Sequence, residues 1–326
     1  MKERVLSGIQ PTGRLHLGNL IGAVENWVRL QDKYDCYFFI ADLHALTTTY
    51  SDTKDLKEDI RQVVIDLLSA GLDPDKCVLF KQSDLPEHSE LHLLFSMIIP
   101  LPWLERVPTY KSKIAELKEI DLGTYGFLGY PVLQAADILI YKAGYVPVGQ
   151  DQLPHIELTR EIARRFNGFY GNVFPEPKSL LTEFPTLPGT DGRKMSKSYG
   201  NTIAISDPPE TIKKKVAIMI TDPARVKRED QGHPEVCSAY EFYQVLAKGL
   251  TDTVAGECRT AKRGCVECKK ELAKILIDYL APLHEKRRQL EKDPAQLDKV
   301  IAAGADKARK IATQTLQEAK KAMGLI

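Results

Sequence analysis

Two short segments carry residues suited to phosphate chemistry. The first, Gln10-Pro11-Thr12-Gly13-Arg14-Leu15-His16-Leu17-Gly18-Asn19, is a turn with two glycines that opens into a helix. Gly13 and Gly18 lack side chains that would block close approach, and the free N–H groups at a helix start favour an anion. His16 and Asn19 can add hydrogen-bond donors. The same pattern also occurs as plain structure. The second segment, Asp191-Gly192-Arg193-Lys194-Met195-Ser196-Lys197-Ser198-Tyr199-Gly200, sets two lysines and two serines between glycines. All four can bind phosphate oxygens; read blandly, the segment is a solvated basic loop.

Two further groups stand apart from these. The run Val132-Leu133-Gln134-Ala135-Ala136-Asp137-Ile138-Leu139-Ile140-Tyr141 is apolar nearly all round, yet it contains Asp137. At helical spacing Gln134, Asp137 and Tyr141 share one face. A carboxylate on a buried helix is costly unless something donates to it, so it marks either a structural pair or a recognition site. Cys237, Cys258, Cys265 and Cys268 end in a C-x-x-C pair, a pattern that suits a tetrahedral zinc ion or a four-iron cluster. Cys36 and Cys77 begin apolar segments and read as core residues.

The elements that must position these groups follow from hydrophobic periodicity. Arg4–Gln10, Cys36–Leu43, Cys77–Gln82 and Tyr145–Val148 read as strands. Leu17–Gln31, Thr53–Ala70, Val132–Lys142 and Asp151–Phe166 read as helices. Strands alternating with helices predict an α/β fold, a doubly wound parallel sheet of the Rossmann kind. After about Asp207 strand signals vanish and helix formers dominate. The expected division is an activation domain over 1–206 and an all-helical domain over 207–326, whose last part packs back on the first. With 43% hydrophobic residues the chain has ample material for such a core. There is no run of eighteen apolar residues and no secretory start, which predicts a soluble, cytoplasmic protein without a membrane partner. A net charge of +1 leaves any contact with nucleic acid to local basic clusters.

Together the two phosphate segments resemble the paired signature of class I aminoacyl-tRNA synthetases: a HIGH-type sequence at His16 to Asn19 and, letter for letter, a KMSKS loop at Lys194 to Ser198. Gly129 to Leu139, Gly-Tyr-Pro-x-Leu-x-Ala-Ala-Asp-Ile-Leu, looks like the amino-acid pocket of bacterial tryptophanyl-tRNA synthetases. Ser7 to Pro11, Ala41 to Thr47, Leu104 to Arg106 and Val146 to Gln152 agree with that family as well. The resemblance implies that ATP, with Mg²⁺, is the substrate of an adenylation step. It implies that His16, Lys194 and Lys197 are catalytic, and that Gln10, Pro11, Thr12, Gly18, Asn19, Gly149, Gln150, Asp151, Leu187, Met195, Ser196 and Ser198 join the two lysines in holding ATP. For Asp151 the bland alternative is the N-cap of the next helix.

L-tryptophan is implied to lie against Asp137, which accepts the indole N–H, with Tyr130, Gln134, Gln152 and His44 around it. An indole has one polar hydrogen on a large apolar body, so a single acceptor can distinguish it from phenylalanine. Gln134 departs from the Met of many bacterial members, and Gln with Asp three residues on is also the tyrosyl form. A tyrosine-specific enzyme is therefore the runner-up. An inactive relative retained as an RNA-binding module is a further alternative, although such relatives usually lose a phosphate-motif residue. The four cysteines resemble those of a subset of the family that holds a [4Fe-4S] cluster, with Zn²⁺ as the alternative. The resemblance further implies tRNA(Trp) as partner, a helical anticodon-binding domain and a homodimer. Arg259, Lys262, Arg263, Lys269 and Lys270 are the basic residues expected to meet the tRNA, or else a solvated face.

Overall fold

The computed structural model describes residues 2–108, 110–111, 114, 121–181 and 187–326, and the side chain of Ser198 falls outside that description. Five strands form one parallel sheet: β1 (Arg4–Ile9), β2 (Asp35–Ile40), β3 (Cys77–Lys81), β4 (Tyr145–Val148) and β5 (Lys178–Leu181), in the spatial order β3-β2-β1-β4-β5. The expected doubly wound sheet is therefore present. Strand order reverses beside β1, which opens a crevice beyond the carboxyl ends of β1 and β4.

Between the strands run α1 (Leu17–Asn19), a π-helical turn over Leu20–Val24, α2 (Glu25–Leu30), α3 (Asp42–Thr49), α4 (Leu56–Ser69), α5 (Glu87–Ser96), α6 (Leu101–Glu105), α7 (Tyr125–Ile140) and α8 (Leu153–Tyr170). The C-terminal part adds α9 (Pro209–Ala217), α10 (Ser238–Leu246), α11 (Thr251–Arg259), α12 (Cys265–Leu290) and α13 (Pro294–Ala322).

The main departures from the sequence reading are two boundaries and one strand that was not read. The second strand stops at Ile40, and a helix starts at Asp42, because the Asp42 carboxylate takes up the N–H groups of Leu43 and Ser83. Helix α7 begins seven residues before the expected Val132. Thr124 caps it by accepting from the Phe127 N–H at 3.2 Å, and Pro131 is carried inside it. Strand β5 is half-exposed and lacks the apolar run by which the others were read.

Alternation along the strands feeds two cores. Val5, Cys36, Phe38 and Ile40 face one side with Leu272, Leu276, Leu280 and Leu283 of α12. Leu6, Tyr37, Phe39 and Phe80 face the other with Ala305, Ala308, Ala312 and Leu316 of α13. Cys36 and Cys77 are buried partners across β2 and β3, and burial pushes both thiols up to about 12, so they are core residues as expected. Helix α13 packs along β3. At the crossing a Cβ on Gly304 would lie 1.8 Å from the Leu79 carbonyl oxygen. No helix among the described residues is long and apolar enough to cross a membrane.

That crossing tolerates no side chain. Gly304→Val should cost at least the roughly 1–3 kcal/mol of an overpacked core. Gly256→Ala, on α11 with open space around it, should add up to about 1 kcal/mol through helix propensity. Thermal unfolding of the two variants checks both, and equal midpoints would refute the close contact.

Candidate active site

The crevice is a cleft of about 830 Å³. Its apolar end is built around Asp137 on α7, which is 1% exposed. A buried carboxylate must have donors, and three elements supply them. His44 on α3 places Nε2 2.8 Å from Oδ2, while Gln82, in the turn after β3, donates Nε2–H to Oδ1 at 2.8 Å. His88 on α5 places Nδ1 2.7 Å from Oδ1, and its Nε2 lies 2.8 Å from the Tyr141 hydroxyl. Burial alone would raise the Asp137 pKa, but the His44 and His88 hydrogen bonds outweigh it and hold the group below its ordinary value. Phe39, Ile138, Val146 and Val148 form the neighbouring walls. Gly8 is required there, since a Cβ would meet the Phe39 ring at 2.5 Å.

At the polar end the turn after β1 faces the lysine loop. His16 caps α1: its Nδ1 accepts from the Asn19 N–H at 3.2 Å, while Asn19 Oδ1 accepts from the His16 N–H at 3.1 Å. Burial, assisted by Lys197, lowers the His16 pKa to about 4, so the ring is neutral near pH 7. Gly18 follows in close quarters, with a Cβ placed 3.0 Å from the His16 ring. Lys197 donates to the carbonyls of Thr12 and Gly13, each at 2.9 Å. Lys194 reaches across the cleft to Asp151 at 3.8 Å.

Comparison with known proteins decides what this cleft belongs to. Residues 2–281 match the family model described as tRNA synthetases class I (W and Y). The tryptophan–tRNA ligase of Thermotoga maritima is 53% identical over 99% of this chain and 99% of its own length, and that of Aquifex aeolicus is 46% identical over 99% and 100%. The chain belongs to the class I tryptophan–tRNA ligases. A crystal structure of the Campylobacter jejuni tryptophanyl-tRNA synthetase, complexed with ADP and tryptophan, superimposes with a TM-score of 0.89 at 36% identity. It covers 98% of this chain and 99% of that one. The tyrosine-specific and inactive alternatives raised by the sequence are set aside.

Most expected residues of the ligase meet in the cleft. Gln10, Asn19, Gly149, Asp151, Lys194, Met195 and Ser196 line its polar end. His44, Tyr130, Gln134, Asp137 and Gln152 line the other. Pro11, Thr12, His16, Gly18, Gln150, Leu187 and Lys197 are not part of this lining: Thr12 and Gln150 are exposed, and Leu187 is packed in the core at 2% exposure. Asp151 is not the cap of the next helix; Gln152 occupies that position. Sequence reading missed Gln82, His88 and His155. His155 Nε2 lies 3.3 Å from the Tyr130 hydroxyl. The three come from separate elements, and no local pattern in the sequence singles them out.

The four cysteines border one cavity of about 30 Å³ under α10, α11 and the start of α12. Among the described residues no group of three or more His, Cys, Asp and Glu is arranged to hold a metal ion. Burial raises the thiols of Cys237, Cys258 and Cys268, the last to about 11. Arg225, from a loop the sequence did not single out, places Nη1 3.8 Å from Cys258 Sγ. Of the five basic residues expected to meet the tRNA or to form a solvated face, Arg263 is paired with Glu257 and Glu271, Arg259 with Glu235, and Lys269 donates to the Ala217 carbonyl. Lys262 and Lys270 are exposed.

Burial lowers the Lys197 pKa to about 8, despite the opposing charges of Asp59 and Asp66. The side chain is cationic below that value and loses its charge as pH rises through it. kcat/KM for ATP should therefore fall above about pH 8, and Lys197→Arg should remove that inflection while leaving any acidic limb. A profile unchanged by the arginine variant would refute the assignment.

Proposed function

We propose that Asp137 is the acceptor for the indole N–H of tryptophan, and that the lysine loop and the turn after β1 hold ATP. The observation that carries this reading is a single carboxylate kept ionised among apolar walls, in the same cleft as Lys194. Indole offers one polar hydrogen, and this end of the cleft offers one anionic acceptor. Tyr130, Gln134 and Gln152, with His44 beside Asp137, complete the amino-acid end. ATP lies toward Gln10, Pro11, Thr12, Gly18, Asn19, Gly149, Gln150, Asp151 and the backbone at Leu187, with Met195, Ser196 and Ser198 in the lysine loop.

A tryptophan carboxylate oxygen attacks the α-phosphorus of ATP, and the bond to the β-phosphate oxygen breaks to release pyrophosphate. The carboxylate is already ionised near pH 7, so no protein base is needed. Rate then depends on alignment and on stabilising charge that grows on the phosphates. Lys194 and Lys197 supply that charge, and the neutral His16 holds the turn as its cap. Mg²⁺ bound with the nucleotide would neutralise part of the phosphate charge. In the second step a ribose hydroxyl of tRNA(Trp) attacks the acyl carbon and AMP leaves.

The C-terminal helices are the tRNA-reading part of this proposal, and the enzyme acts as a homodimer. Cys237, Cys258, Cys265 and Cys268 would hold a thiolate-bound metal group there, with [4Fe-4S] ahead of Zn²⁺. Support comes from the convergence of all four on one cavity, roomier than one water requires, with Arg225 and Arg263 beside it. A cation would supply what buried thiols need in order to ionise.

ATP–pyrophosphate exchange with each of the twenty amino acids should respond to tryptophan alone. Asp137→Ala and Asp137→Asn should raise the tryptophan KM about ten- to a hundredfold, the loss of a charge-assisted hydrogen bond, and change the ATP KM far less. Equal effects on both substrates would sink the indole assignment. Purified without oxygen, the protein should be brown and contain iron; a colourless protein with stoichiometric zinc would overturn the cluster assignment.

A further inference from the structure

Helix α4 presents Asp59, Gln62 and Asp66 toward the phosphate turn and the C-terminal helices. Asp66 is fully buried and divides its two oxygens between two distant parts of the chain. Oδ2 accepts from the Leu15 N–H at 3.0 Å, one residue before His16. Oδ1 is paired with the guanidinium of Arg287 on α12, which also donates to Gln62. Arg287 is 5% exposed, and its Nε lies 3.1 Å from Glu291.

A second tether runs in parallel. The Ile205 N–H donates to the Leu15 carbonyl at 2.9 Å and the Leu17 N–H to the Ile203 carbonyl at 3.0 Å, which latches the segment after the lysine loop to the turn. His284, also on α12, places Nε2 2.8 Å from the Ile205 carbonyl. One face of α12 therefore grips both the turn and its latch. The same helix begins at Cys265, about 33 Å away by helical rise.

A buried ion pair of this kind adds little net stability, and apolar residues of similar volume would serve a core as well or better. What apolar residues would not supply is an acceptor for the Leu15 N–H, fixed by a partner on another segment. We propose that Asp66, held by Arg287, is a positioning residue for ATP activation that ties the phosphate turn to the seating of α12. Release of Arg287 frees Asp66 and with it the backbone at Leu15, from which His16 and Gly18 take their places. Tryptophan binding is spared, because its end of the cleft hangs from α3, α5 and α7.

The inference rests on the ATP assignment above, and exchange by the unaltered enzyme tests that assignment separately. Pyrophosphate exchange by Arg287→Met, Asp66→Asn, their double variant and Arg287→Lys, with equilibrium dialysis of tryptophan alone, tests the tie. Each of the first two should lose about ten- to a hundredfold in kcat/KM for ATP, the scale of a small misplacement, with an unchanged tryptophan Kd. The double variant should be no worse than the worse single, and Arg287→Lys should restore part of the loss. Variants that melt cooperatively yet keep wild-type kcat/KM for ATP would overturn the proposal. So would equal losses in tryptophan binding, which mark a merely structural pair. Should Arg287→Met fail to fold, Arg287→Lys decides: it keeps the charge but not the fork onto both Asp66 and Gln62, and wild-type ATP kinetics from it would overturn the tie.

Discussion

An anionic carboxylate buried among aromatic and aliphatic side chains is tolerable only where donors meet it, and Asp137 sets that condition for the whole amino-acid end of the molecule. Its donors hang from α3, the turn after β3, and α5, so those elements converge on one helix, with which α5 shares a core. Asp42 makes the convergence possible by joining the start of α3 to Ser83, which brings His44 and Gln82 to the same point. The Tyr141 hydroxyl then fixes the far side of the His88 ring.

The polar end obeys the opposite logic. Its two lysines are held by the protein acceptors within reach. Lys197 rests on the carbonyls of Thr12 and Gly13, and Lys194 leans toward Asp151. These contacts are polar and partly exposed, hence cheap to exchange for phosphate oxygens. In the proposed reaction a loop held this way would be free to close as charge develops. Its fixed reference is the turn after β1, which is anchored beneath by α4 and, through it, by α12.

Legibility followed locality. The phosphate turn, the lysine loop and the buried aspartate were readable because each is a short run whose residue types are unusual for their setting. Helix α7 was readable only in part: it was expected from Val132, whereas the Thr124 cap starts it at Tyr125 and Pro131 is absorbed within. Strand β5 has too little apolar character to be seen. The basic cluster near the cysteines was read as meeting tRNA or as a solvated face; what its sequence did not reveal is that Arg263 pairs with Glu257 on α11 and Glu271 on α12.

By itself the sequence determined the parallel α/β sheet, the change to helices after Asp207, and the chemical character of the two ends of the cleft. Those depend on periodicity and on contiguous residue types, which survive without knowledge of the fold. Only the tertiary structure decided which donors reach Asp137, that His16 serves as a neutral cap, and that Arg287 meets Asp66 across 221 positions of chain. Such pairings are selected by burial, where an unmatched polar group is costly, and burial is a property of the packed molecule.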